Sequence, residues 1–235
     1  MLATAATAAL CASSCAFIRI NGEAFDIEAR EILTVSGPLT TKTVDLPQFS
    51  AIESNVSADI EYSMTDGTPS LTISAPESII DRYTFEVVDG ILWIRLDGKL
   101  RSGSEKIRIN IQSATLSSLH IRGAGDFRVK RGIDCPSLEI VLDGAGDIEM
   151  DGVRCEGDFS VVLNGAGDVN VTGLSCKEAT VSVNGAGDAD LEGEAESATL
   201  SIRGAGDIDA SRLKTENVST SVAGVGKIKT PAQAR

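Results

Sequence analysis

Between Leu119 and Val222 apolar and polar residues alternate, and the same four residues interrupt the alternation at regular intervals. Gly-Ala-Gly-Asp opens at Gly123, Gly144, Gly165, Gly185 and Gly204, and an altered form, Gly224-Val225-Gly226-Lys227, follows. The spacings are 21, 21, 20, 19 and 20 residues. Two places before each first glycine stand Ile121, Leu142, Leu163, Val183, Ile202 and Val222. Four places before stand Leu119, Ile140, Val161, Val181, Leu200 and Thr220. Beyond the glycines the pattern resumes with Phe127, Ile148, Val169, Ala189, Ile208 and Ile228. Val129, Met150, Val171, Leu191 and Ala210 follow two places later. Period two marks strands with one buried face. Each repeat therefore reads as strand, glycine corner, strand and a short return through Gly132, Gly152, Gly173 or Gly193.

A unit of this size cannot bury its apolar face alone, so successive units must stack and fold together. Stacking aligns equivalent positions in ladders ~4.8 Å apart. The pattern predicts an all-β chain: a parallel β-helix or β-solenoid of about 20 residues per rung, with an irregular β section before it.

Counting parity through the corner puts both glycines on the inward side: Gly123 and Gly125, Gly144 and Gly146, Gly165 and Gly167, Gly185 and Gly187, Gly204 and Gly206. A side chain there is expected to collide with the facing strand, and a tight bend would also draw on positive φ. A phosphate cradle fits poorly, because such loops lead into a helix and here a strand follows. The aspartates Asp126, Asp147, Asp168, Asp188 and Asp207 form an outward ladder, expected to cap turn N–H groups. Glu149, Asp190 and Asp209 point the same way. A flat row of carboxylates seldom supplies the six to eight oxygens calcium takes, so no metal or other cofactor is expected.

From about Thr40 to Gln112 the repeat is lost while strands continue. Ser57-Ala58-Asp59-Ile60-Glu61-Tyr62 is a degenerate echo of the later corner, and Asp89-Gly90 reads as the hairpin turn before Ile91-Leu92-Trp93-Ile94. Residues 75–82 read as one short helix or a loop. The organisation expected is a signal-like leader at 1–15, a linker at 16–42, an N-terminal β section at 43–115, the repeat solenoid at 116–230 and a tail at 231–235.

Composition narrows the partners. The net charge of −13 repels nucleic acid. Residues 1–10 are small and apolar, and Ala12-Ser13-Ser14-Cys15 is a relaxed version of the bacterial lipoprotein cleavage box, with Ala12 where Leu is usual and no Lys or Arg before the apolar run. Cys15 is the lipidation candidate, which makes export to the periplasm, outer membrane or cell surface the expectation, with membrane contact only through that anchor. Cys135, Cys155 and Cys176 recur at the repeat spacing and read as a buried ladder of small apolar residues, since in-register neighbours seldom suit a disulfide. His120, the single histidine, occupies an outward strand position with no nucleophile beside it in sequence.

A Phe49-centred strand, the Ala58-Asp59-Ile60 strand, Val87-Val88-Asp89-Gly90-Ile91-Leu92-Trp93-Ile94 and then the Gly-Ala-Gly-Asp repeats together resemble the putative auto-transporter adhesin, head GIN domain family over residues 43–230. The resemblance implies an exported bacterial β-solenoid with an adhesin-like role, often a lipoprotein, and brings no catalytic residues. Lys227 and Thr220 depart from the pattern in the final rung, as suits a terminal cap. The leading expectation is a non-enzymatic envelope protein that presents a binding or scaffolding surface to a glycan or protein ligand. A polysaccharide lyase assisted by calcium and a self-assembling homo-oligomeric solenoid are the alternatives.

Overall fold

The computed structural model describes residues 15–20, 23–28, 31–100 and 107–231. The repeats stack as a parallel solenoid of about five turns, with about 21 residues per turn. Its first wall holds the strands that precede each corner. Ala51–Ser54, Ser118–Ile121, Leu138–Leu142, Phe159–Leu163, residues 179–183, residues 197–202 and Asn217–Val222 pair in parallel register, rung upon rung. The second wall holds the strands that follow: Asp59–Met64, Phe127–Val129, Ile148–Asp151 and their successors down to Ile228–Lys229. A short third wall carries the return, Ile133–Cys135 on Val153–Cys155.

The inward rows follow the alternation. Leu119, Ile140, Val161, Val181 and Leu200 are fully buried, as are Phe127 and Phe159. A fully buried side chain of this kind contributes ~1.5–3 kcal/mol. Unequal repeat lengths are absorbed on the return side, not at the corners. Register shifts fall between Val171 and Leu174 and between Asp190 and Glu192. Positive φ is found there too: Gly152 has φ 76° and Gly173 has φ 63°.

The N-terminal section continues the same stack in altered spatial order. Ile91–Leu96 pairs in parallel with Ala51–Ser54, and Arg108–Ser113 with Asp59–Met64. Antiparallel strands then end the parallel ladder: Tyr83–Val88 on one wall, Ser70–Pro76 and Leu39–Asp45 on the other. Asp89 (φ 52°) and Gly90 (φ 77°) make the hairpin turn with both residues at positive φ, as a type I′ turn requires. The segment at 75–82 contains one helical turn, Glu77–Ile80, with Ile79 and Ile80 buried.

The segment expected to be a linker, 16–42, contains strands. Cys15–Ile20 pairs antiparallel with Glu23–Glu28, and the sequence between them is Asn21-Gly22, the pair that two-residue hairpins favour. Leu39–Asp45 joins the main sheet along the whole of Ser70–Pro76, helped by three threonines whose branched side chains suit a pleated surface. Of the expected leader at 1–15 and tail at 231–235, residues 1–14 and 232–235 lie outside the described residues.

Candidate functional site

The corners form a ridge along the solenoid. Ala124, Ala145, Ala166, Ala186 and Ala205 stand exposed at its crest. From Ala145 on, each crest alanine donates its N–H to the first glycine's carbonyl one rung earlier, as Ala166 does to Gly144 (3.0 Å) and Ala186 to Gly165 (2.9 Å). The corner glycines are needed for a different reason from the one parity suggests. A Cβ on Gly165 would lie 1.8 Å from the Gly144 oxygen, and one on Gly167 would lie 1.9 Å from the Gly146 oxygen. Side chains there would project along the axis into the preceding rung, not across the core. None of the ten glycines has φ in the left-handed region, so packing between rungs imposes the residue, not local conformation.

The aspartate ladder has an equally axial role. Asp147 N–H donates to Asp126 Oδ1 (3.2 Å), Asp168 to Asp147 (3.0 Å), Asp188 to Asp168 (2.8 Å) and Asp207 to Asp188 (2.7 Å). The carboxylate replaces a backbone acceptor where the ladder turns, because each Asp carbonyl is engaged from the other side. Asp168 O, for example, accepts from Ile148 N–H (2.8 Å). Asp59 begins the column beneath Asp126, and Lys227 N–H ends it on Asp207 Oδ1 (2.7 Å).

Other outward carboxylates meet basic partners one rung away. Arg128 bonds Glu149 (2.9 Å), and Lys229 bonds Asp209 (2.6 Å). The Lys229 ammonium and the Ser211 hydroxyl hold the Asp209 carboxyl well below the usual carboxylate range. Among the described residues no three His, Cys, Asp or Glu side chains are grouped to hold a metal ion.

A polar cluster on the first wall is the strongest candidate for contact with another molecule. Trp93, Glu53 and His120 are register partners on three successive strands. His120 Nε2 lies 2.5 Å from Asp143 Oδ2, and its Nδ1 lies 2.9 Å from Arg122 Nη2 and 3.3 Å from Glu53 Oε1. Arg122 also bonds Glu53 (2.7 Å). The ladder continues through Asn164 Nδ2 to Asp143 Oδ1 (2.7 Å) and Asn184 Nδ2 to Asn164 Oδ1 (2.9 Å). The Asn164 amide and then the His120 ring hold the Asp143 carboxyl below its ordinary range. Arg95 lies 4.6 Å above the Trp93 ring. Sequence reasoning placed His120 outward but missed its carboxylates, because Glu53 is 67 residues away and meets it only through the stack. The available signal was the recurring polar position before each first glycine, at Arg122, Asp143, Asn164, Asn184 and Arg203.

Cys135, Cys155 and Cys176 are buried free thiols on the return wall. Cys15 opens the strand Cys15–Ile20. No helix among the described residues is long and apolar enough to cross a membrane.

The model of a family described as putative auto-transporter adhesin, head GIN domain, matches residues 48–157 and again 153–235. A putative adhesin from Bacteroides fragilis NCTC 9343 is 26% identical, with a TM-score of 0.68 over 83% of this chain and 98% of that one. A putative lipid binding protein from Parabacteroides distasonis ATCC 8503 shares 19% identity at a TM-score of 0.67, covering 83% of this chain and 98% of its own. A putative adhesin from the same organism shares 15% at 0.58, covering 84% and 99%. The last two likenesses are of fold alone. No curated protein matches the chain.

Proposed function

The chain belongs to the putative auto-transporter adhesin, head GIN domain family, and from this premise we propose that it is a non-enzymatic, adhesin-like protein of the bacterial envelope that binds a glycan or protein through its first wall. The observation that carries the reading is the continuous polar surface of Glu53, His120, Arg122, Asp143, Asn164 and Asn184, cross-linked by hydrogen bonds from rung to rung. Side chains held this way lose little conformational freedom when a ligand arrives, which is how preorganised surfaces gain affinity. Trp93 at the end of the row adds a flat apolar element of the kind enriched at binding hot spots. Export and anchoring through Cys15 belong to the same proposal.

A glycan and host-matrix array, run on the purified protein with and without calcium, tests it. We expect at least one ligand, bound independently of calcium. Its affinity should fall tenfold or more in the variant Glu53→Ala, His120→Ala, Asp143→Ala, provided circular dichroism shows that variant folded. A ligand bound equally well by the variant would move the site off the first wall. Depolymerisation of any polysaccharide in a parallel screen would replace the adhesin with an enzyme. Labelled palmitate incorporated by wild type and not by Cys15→Ser supports the anchor; equal labelling removes it.

A further inference from the structure

The cysteines of the return wall stand on consecutive rungs and border open grooves. Cys135 and Cys155 are direct register partners on the parallel strands Ile133–Cys135 and Val153–Cys155. Arg154 pairs with Ser175, which brings Cys176 beside Cys155 on the next rung. The Sγ atoms of Cys135 and Cys155 are 3.4 Å apart. Strands in a sheet lie ~4.8 Å apart, inside the ~4.4–6.8 Å window of Cα separations that a disulfide spans. The general rarity of such bridges is therefore not a geometric bar here: the thiols already touch. A groove of about 310 Å³, lined by Asp134, Cys135, Pro136, Arg154, Cys155 and Glu156, borders the pair, whose residues are 5% and 7% exposed. We propose that Cys135 and Cys155 are a redox-active dithiol that closes to a rung-to-rung disulfide, leaving Cys176 as the remaining thiol of the ladder.

The two thiols share one S–H···S contact, and Cys135 Sγ also lies 3.8 Å from the Arg154 carbonyl oxygen. Burial pushes the Cys176 thiol up to about 11. Either sulfur can open the exchange as the thiolate. With Cys135 as the attacking group, it displaces one thiolate from an external disulfide, RS–SR, and forms a mixed disulfide. Cys155 then loses its proton, attacks the Cys135 sulfur and displaces the second thiolate. The two cysteines surrender two electrons and two protons, and the oxidant leaves as two thiols. The bond closes a segment of one full turn, joining positions 20 apart in the chain. It joins two strands of only three residues each, where the ladder alone contributes little.

Peptide mapping of the full-length protein tests the proposal. The protein is treated with glutathione disulfide or dithiothreitol, blocked with N-ethylmaleimide and digested with trypsin. Cys135 falls in peptide 132–154, while Cys155 and Cys176 share peptide 155–177. After oxidation we expect the two peptides joined, at the sum of their masses less two hydrogens, with the maleimide on Cys176. The oxidised protein should melt several degrees above the reduced one. That difference should vanish in Cys135→Ser and persist in Cys176→Ser. An internal loop in peptide 155–177, glutathione retained on Cys135 without closure, or maleimide on both Cys135 and Cys155 after oxidation would overturn it. Equal melting of the linked and reduced proteins would do the same for the stabilising tie.

Discussion

The corner Val56-Ser57-Ala58-Asp59 and the corners that begin at Gly123 turn the chain between the same two walls with different residues. Val56 and Ala58 carry side chains, are buried, and lie directly beneath Gly123 and Gly125. A Cβ on Gly123 would come within 1.8 Å of the Val56 oxygen. What differs is the neighbour on the other side. Every later corner rests on another four-residue corner. The strands next to Val56, Ile91–Leu96 and Arg108–Ser113, are joined instead by a longer excursion through Lys99–Leu100, which pairs with Ile32–Leu33. Glycine is thus demanded by close stacking from beneath, and the first corner is exempt because no equivalent four-residue corner lies there among the described residues.

Single substitutions at the two kinds of corner should separate widely. Gly165→Ala must drive the carbonyl of Gly144 away and disrupt the bond it accepts from Ala166, so we expect a loss of ~3 kcal/mol or more in urea unfolding. Ala58→Gly in the exempt corner should cost ~1 kcal/mol, the ordinary price of added chain freedom and one lost methyl.

The aspartate column offers a smaller contrast. Asp168→Ala leaves the Asp188 N–H without its acceptor and should cost ~1–2 kcal/mol, with Asp168→Asn recovering most of it. Lys227→Ala should cost little, because that side chain caps no N–H among the described residues. Equal effects at the two positions would remove the axial role given to the carboxylates.

Acid should expose the polar ladder. The folded Asp143 carboxyl titrates below its unfolded value of ~3.9. Its contribution is therefore present above about pH 4 and is lost as pH falls through the lower folded value. Asn164→Ala should reduce stability by ~0.5–1 kcal/mol at pH 7, and the gap from wild type should narrow as the pH is taken below 4. A gap that did not change with pH would assign Asn164 a packing role only.

The smallest effect has the opposite sign. Ser54 sits in the row that carries Ile94, Ile121, Leu142 and Leu163, is wholly buried, and its Oγ has no partner. Ser54→Ala should be neutral or stabilise by up to ~1 kcal/mol, because it removes an unsatisfied hydroxyl. A clear loss of stability would show that Oγ is satisfied.

The repeats were legible because one period controls everything in them. The alternation around Leu142 or Leu163 fixes which face is buried, and the recurrence of Gly-Ala-Gly-Asp fixes the stacking. The direction of the forbidden Cβ was not legible, since parity counts inside and outside and has no axis. The N-terminal section was harder for a topological reason. Asp59–Met64 lies between Arg108–Ser113 and Phe127–Val129, so its neighbours in space are far from it in sequence. The Glu53–His120–Asp143 contacts were hidden for the same reason. The hairpin Cys15–Ile20 with Glu23–Glu28 carried its signal in Asn21-Gly22, which composition alone made look like linker.

Exchange of the corners tests the central claim most directly. One variant replaces Gly165-Ala166-Gly167 with Val-Ser-Ala, and the other replaces Val56-Ser57-Ala58 with Gly-Ala-Gly; both are unfolded in urea beside the wild type. If stacking from the preceding rung dictates glycine, the first variant loses its cooperative transition and the second keeps it with a midpoint slightly lowered. Two variants of similar, modest instability would contradict the account and return the glycines to a local conformational role.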